Sequence, residues 1–177
     1  MLDVILSQIE TEEEKTLIEE LYMEYEAQMY GTAYAILRHR QDAEDAVEGA
    51  FLKVIEHLPT LNLALNRQTR ALLLVITRNI AYNELKKRNL RLKHESDIVD
   101  TEEISVTEDL EKLDFKDIQK LIETLPCDLK NVIIMRFMLD YSAEQTAELL
   151  DISTSAVYKR TAAARKLLKI NAEDYYG

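Results

Sequence analysis

The chain has 177 residues, a formal net charge of −11, 47% hydrophobic residues, three Gly, two Pro and one Cys. That apolar share supports packed cores in one ordinary domain or two small ones, and the scarcity of chain breakers beside abundant Leu, Glu, Ala and Lys predicts an all-α chain with little sheet. Cys127 alone excludes an internal disulfide and a cysteine-rich metal cluster. The start, "MLDVILSQIETEEEK", lacks a basic leader and the longest apolar run, "ALLLVI", is too short to span a bilayer, so a cytoplasmic location without membrane insertion is expected.

Thr11 and Glu14 form a capping-box pattern that opens a long helix carrying Leu17, Ile18, Leu21, Tyr25, Ala33 and Ile36. The next segment, "DAEDAVEGAFLKVIEHLP", repeats Ala43, Ala46, Val47, Ala50, Phe51, Val54, Ile55 and Leu58 with helical period, and Pro59 stops it. Asp42, Glu44, Asp45 and Glu48 head its opposite face, where acid suits the positive end of the helix dipole. A loop from Thr60 to about Gln68 precedes a third helix, "TRALLLVITRNIAYNELKKRNLR", whose end carries Lys86, Lys87, Arg88 and Arg91.

Charge then divides the chain. Residues 1–93 hold 15 Asp and Glu against 12 Lys and Arg, residues 94–111 hold 8 against 0, and residues 112–177 hold 10 against 10. The middle stretch, "HESDIVDTEEISVTEDLE", has no sustained apolar period and repels itself, which predicts a flexible acidic linker between two helical domains.

Beyond it come "LDFKDIQKLIETL", "DLKNVIIMRFML", "SAEQTAELL", "DIS" and "TSAVYKRTAAARKLLK". Two helices around a three-residue turn predict a helix-turn-helix, with a Ser142/Gln145 capping box on the first and Ser153 capping the second. Within the last helix Val157, Thr161, Ala164 and Leu168 share one face, which turns Ser155, Tyr158, Lys159, Ala162, Arg165 and Lys166 outward. Small hydroxyls, backbone N–H groups and cations on one exposed face suit base edges and phosphates. A basic helix that only complements its own dipole is the plainer reading. His39, His57 and His94 lack metal-ligand spacing and no Gly-rich phosphate loop occurs, so neither an enzyme nor a metal or other cofactor is expected.

The order "LYMEYEAQMYGTAYAILRHRQDAEDAVEGAFLKVIEHL", "TRALLLVITRNIAYNELKKR", acidic linker, and "LIETLPCDLKNVIIMRFMLDYSAEQTAELLDISTSAVYKRTAAARKLL" resembles the bacterial RNA polymerase sigma factors of the extracytoplasmic-function (ECF) class. The resemblance covers nearly all of the chain beyond its first 20 or so residues and rests on "DAEDAV" followed by "F" and "KV", the Ile76–Asn79 pair, and the "LP" before the helix-turn-helix. It implies a transcription initiation factor that binds core RNA polymerase, directs it to promoters and helps open the −10 element. Residues 1–93 would be region 2-like, 94–111 the linker, and 112–177 region 4-like. Asp42, Glu44, Asp45 and Glu48 would contact the clamp helices of the polymerase largest subunit. Asn62, Asn66, Arg67, Asn79, Asn83, Lys86, Lys87 and Arg88 would engage the −10 element, and Thr154, Ser155, Tyr158, Lys159, Arg160, Arg165 and Lys166 the −35 element. An anti-sigma partner stays open, as does the alternative of a stand-alone helix-turn-helix regulator.

The chain departs from the family pattern at several positions. Leu72 stands for the usual Trp, Glu48 for Gln, Lys86 for Arg, Thr146 for Ile in the first helix of the helix-turn-helix, Asp151 for the Gly of its turn, and Ala163 for a frequent Arg.

The linker charge generates the first prediction. If its eight carboxylates mask the basic stretches in free protein, replacing them by Asn and Gln at fixed length raises DNA affinity at about 0.01 M salt. The gain vanishes near physiological salt as the Debye length falls from about 30 to about 8 Å. Equal affinities in a low-salt titration would leave the linker a spacer.

Overall fold

The computed structural model describes the backbone of residues 1–92 and 115–176, and the side chains of residues 1–90 and 120–168. The predicted linker, 94–111, lies outside the described residues, as do Lys93 and the side chains of Arg91 and Lys169. The described elements are all helical, and the chain divides into two compact units, Met1–Glu95 and Ser96–Gly177.

The first unit contains α1 (Leu2–Leu6), α2 (Glu12–Leu37), α3 (Arg40–Glu56), a 3₁₀ turn (Leu58–Thr60) and α4 (Arg67–Leu92). Thr11 caps α2 by accepting the Glu14 N–H at 3.3 Å, and the acidic first turn Glu12–Glu14 complements the helix dipole. Ile18, Leu21, Tyr25, Met29, Ala33 and Leu37 form its buried stripe. Leu17 and Ile36, expected in that stripe, are half-buried instead, because a 26-residue helix lets the inward face drift from one end to the other.

On α3 the expected Ala43, Ala46, Val47, Ala50, Phe51 and Val54 are buried, whereas Ile55 lies at its half-exposed end. α4 packs against both α2 and α3 and buries Leu72, Leu73, Val75, Ile76 and Ala81 together with the polar Thr69, Thr77 and Asn79. Thr77 satisfies its hydroxyl by donating to Leu73 O at 2.8 Å. Where α2, α3 and α4 meet, Ala33, Ala43, Ala46 and Ala81 occupy a shared cluster with Leu37, and their small size admits close approach of the three backbones.

Helix α1 is absent from the sequence reading. It is too short to hold itself together, and it forms because Ile5 and Ile9 find an apolar seat on α2 and α3.

The second unit contains α5 (Phe115–Thr124), α6 (Cys127–Ile133), a π turn (Ile134–Met138), α7 (Ala143–Leu150) and α8 (Thr154–Tyr176). Its core joins Leu121, Ile122 and Leu125 to Ile133, Ala164 and Leu168. The predicted capping box on α7 is present: Gln145 N–H donates to Ser142 Oγ at 3.1 Å, and Ser142 N–H to Gln145 Oε1 at 3.0 Å. Asp151 ends α7 in the left-handed region (φ 53°), the conformation that its short polar side chain tolerates.

Thr146 is fully buried in α7 and its hydroxyl finds no hydrogen-bond partner. An unsatisfied buried hydroxyl costs about 1–3 kcal/mol. The isosteric Thr146→Val change removes that cost without altering volume, so it should stabilise the second unit by about 1 kcal/mol. A thermal or urea midpoint that stays level or falls would refute it.

Candidate nucleic-acid interface

In the second unit the site is built on the start of α8. Ser153 Oγ accepts the Ala156 N–H at 3.1 Å, so one orphan amide of the first turn is satisfied by the residue expected to cap it. The turn from α7 closes through Ile152 N–H donating to Ala147 O at 3.0 Å. Val157, Ala164 and Leu168 are buried, and this fixes the rotation of α8 about its axis. Ser155, Tyr158, Lys159, Ala162 and Arg165 consequently face solvent, Tyr158 at 58% exposure, while Thr154 and Lys166 are partly exposed.

Arg160 and Arg165 are engaged within the unit. Arg160 Nη2 lies 3.7 Å from Asp128 Oδ2 at the start of α6, with the side chains 26% and 30% exposed. The Arg165 guanidinium sits 5.1 Å from the centroid of the Phe137 ring, a cation–π contact that holds it at the edge of the exposed face.

Phe137 is the residue that sequence reasoning missed. In "IIMRFML" every position is apolar except Arg136, so period alone cannot choose an inward face. The π turn, closed by Leu139 N–H donating to Ile134 O at 3.0 Å, places Phe137 and Met138 outward. Arg136 Nη1 secures the following loop by donating to Tyr141 O at 2.7 Å, and burial raises the Tyr141 phenol above its ordinary pKa. Beside it, the backbone hydrogen bond at Glu144, followed by that from Ser142, holds the Glu144 carboxyl below the ordinary range.

In the first unit the loop before α4 and the outer face of α4 carry the predicted contacts. Asn62, Arg67, Lys86 and Lys87 are exposed, and Asn83 is half-buried. Three of the expected residues make contacts within the unit or are buried in it. Asn79 is only 3% exposed, because α4 is covered by α2 and α3 through this turn, so its amide cannot face a base outside the unit. Asn66 is the N-terminal cap of α4: its Oδ1 accepts the Thr69 N–H at 2.8 Å, while its carbonyl accepts the Tyr25 hydroxyl at 3.3 Å. Its Oδ1 and carbonyl thus position the loop, and the residue stays exposed. Arg88 turns inward, donating to Leu37 O at 3.0 Å and to Asp42 Oδ2 at 3.4 Å.

The acidic set on α3 is likewise partly paired. Asp42 meets Arg88, and Glu44 Oε1 accepts from Arg40 Nε at 2.9 Å. Asp45 is exposed and accepts from the neutral Gln41 amide at 2.9 Å, and Glu48 is partly exposed. Burial, and after it the charges of Glu26, Glu44 and Glu48, raise the Tyr22 phenol above its ordinary pKa. Tyr22 stacks obliquely on Phe51, ring centroids 5.3 Å apart.

Among the described residues no helix is long and apolar enough to cross a membrane, and no group of His, Cys, Asp and Glu has the arrangement to hold a metal ion.

The chain matches two family models: Sigma-70 region 2 over residues 21–91 and Sigma-70, region 4 over residues 115–168. No curated protein matches it. Among solved structures it is similar to a chain of the co-crystal structure of the sigma factor RpoE with the anti-sigma factor NepR from Bartonella quintana. That likeness has 22% identity, covers 88% of this chain and 96% of the other, and has a TM-score of 0.41. It is also similar to a chain of the RsbN-BldN complex (16% identity, 96% and 97% covered, TM-score 0.35). A chain of the complex of CnrH with the cytosolic domain of CnrY is similar too (17% identity, 89% and 88% covered, TM-score 0.37).

Proposed function

We propose that the two units of this chain, which belongs to the sigma-70 family of transcription initiation factors, divide promoter recognition between them. The factor binds core RNA polymerase and directs it to promoters, and the pairing of regions 2 and 4 is the organisation of the ECF class that the sequence resembles. That family is one of non-catalytic initiation factors. A stand-alone helix-turn-helix regulator would leave region 2 without a task.

Two observations carry the division: one unit has the exposed, capped start of α8, and the other, taken by itself, has the cation-bearing end of α4 and the acidic face of α3. In our reading Ser155 and Tyr158 meet base edges of the −35 element, and Thr154 adds a small hydroxyl at the first turn. Lys159, Arg165 and Lys166 meet its phosphates, and Arg160, tethered to Asp128, flanks them. Asn62, Arg67, Asn83, Lys86 and Lys87 contact the −10 element. Their amides suit the edge of a base drawn from the stack, and their cations suit the phosphates of the opened strand. Asp45, with Glu48 and the paired Asp42 and Glu44, offers the negative surface to the polymerase clamp helices. An anti-sigma partner would find these same charged faces in the cytoplasm, where transcription takes place.

Mixing the protein with core RNA polymerase and a promoter template tests the whole reading, with promoter-dependent run-off RNA as the expected product. No such RNA from any promoter in a genomic template pool would reject it.

Asp45→Lys should weaken core-polymerase binding about tenfold, near 1.4 kcal/mol, with helicity unchanged. A fluorescence titration giving wild-type affinity would remove α3 from that interface. Lys159→Ala should lower DNA affinity on all sequences and reduce the log–log salt slope by about 0.9, whereas Tyr158→Ala should change sequence preference with little effect on the slope. Titrations over a salt series on matched and scrambled −35 duplexes separate the two. The reverse pattern would contradict the placement of α8.

A further inference from the structure

We propose that Arg88 is a positioning residue that couples the polymerase-facing start of α3 to the DNA-facing end of α4. This deepens the reading of those two helices given above and rests on it.

One guanidinium spans three helices. Arg88 Nη2 donates to Leu37 O at 3.0 Å, a carbonyl at the C-terminal end of α2 where the helix supplies no amide partner. Its Nη1 donates to Asp42 Oδ2 at 3.4 Å, in the first turn of α3. Between these acceptors the chain reverses through Arg38, which is left-handed (φ 53°), and His39, whose Nδ1 caps α3 by accepting the Asp42 N–H at 3.3 Å. Arg88 therefore closes the elbow between α2 and α3 from the side of α4.

Its surroundings support a mechanical role. The Arg88 side chain is 39% exposed and that of Asp42 31%, so the pair is screened less than one standing in open water. Nearby, the alanine cluster of α2, α3 and α4 takes in Leu85, one turn before Arg88, so a shift of Arg88 is felt by packed groups. Lys87, one residue earlier, points about 100° away around the helix and is exposed, with Glu84 Oε2 3.9 Å from its Nζ. The two internal acceptors fix the direction of the Arg88 guanidinium, while Lys87 stands exposed on a different side of the helix. The planar fork matches two acceptors at fixed separation, a task that a lysine ammonium does not reproduce.

The same carboxylate belongs to the acidic set assigned to polymerase. A polymerase cation that draws on Asp42 takes one of the two acceptors of Arg88 and leaves Leu37 O as the other, which loosens one tether of the last turns of α4, the part that carries Asn83, Lys86 and Lys87. Docking at α3 is in this way transmitted to the strand-opening face of α4. The guanidinium and the carboxylate are the two-state element, and both sites bias it.

The test uses full-length protein with core polymerase and promoter DNA, comparing Arg88→Ala, Arg88→Lys, Asp42→Asn, the Arg88→Ala/Asp42→Asn pair and Lys87→Ala. Arg88→Ala should slow promoter opening about tenfold, read by permanganate reactivity, while the salt slope of duplex binding stays at the wild-type value. Arg88→Lys should not restore opening, and it carries the same measurements should the alanine variant lose helicity. Adding Asp42→Asn to Arg88→Ala should cost less than a further twofold, because partners in one contact are not additive. Lys87→Ala serves as the phosphate reference, with a slope reduced by about 0.9. A slope loss for Arg88→Ala equal to that of Lys87→Ala, full rescue by lysine, or multiplicative effects of the Arg88 and Asp42 changes would each overturn the proposal. An unchanged slope for Lys87→Ala would count instead against the assignment of α4 to DNA, and the additivity of the Arg88 and Asp42 changes in core-polymerase affinity is judged separately from it.

Discussion

A chain with three glycines and two prolines must end its helices by hydrogen bonding rather than by breaking them. Thr11, His39, Asn66, Ser142 and Ser153 each accept a backbone amide at a helix start, and Arg38, Asp140 and Asp151 take the left-handed turns that glycine would otherwise occupy. Each such cap is worth about 1 kcal/mol, modest beside the apolar cores. Their positions matter more than their energies. His39 sets the start of the acidic helix, Asn66 fixes the loop before α4, and Ser153 aims the first turn of α8, so every surface assigned to a partner begins at a cap.

Electrostatics follow from the same economy of structure. The net charge of −11 conceals basic surfaces because acids and bases are segregated along the chain and then partly paired within each unit. Arg88 and Arg160 each meet a carboxylate from another helix, and Arg165 lies over an aromatic ring. Lys86, Lys87 and Lys159 remain exposed. The neighbours of each helix, rather than its own composition, therefore set where Arg88, Arg160 and Arg165 are held.

The interior shows a comparable division. Where three helices meet in the first unit, alanines allow close approach, and a single arginine then ties all three ends together. In the second unit, threonine at position 146 leaves an unsatisfied hydroxyl between α7 and its core, a local weakness in the domain that presents α8. A factor that must bind two macromolecules does not require the largest attainable stability, and this unit retains at least one obvious reserve.

Local pattern determined a great deal: the all-α class, the order of the long helices, the Thr11 cap of α2, the full capping box at Ser142, the left-handed Asp151, the helix-turn-helix and the outward face of α8. These follow from interactions within four residues, which a helix repeats wherever it forms. Tertiary structure decided the rest. Asn79 and Asn83 look equivalent in sequence, four residues apart on one helix, yet Asn79 is buried and Asn83 is partly exposed, because the cover from α2 and α3 is complete at one turn and open at the next. Arg88 and Lys87 are adjacent cations, and only the arrival of Leu37 and Asp42, 51 and 46 residues away, distinguishes their tasks. The seat of α1 and the outward turn of Phe137 depend in the same way on surfaces supplied from elsewhere in the unit. Periodicity states which residues share a face; only packing states what that face meets, since the partners of a face are brought to it by contacts distant in the chain.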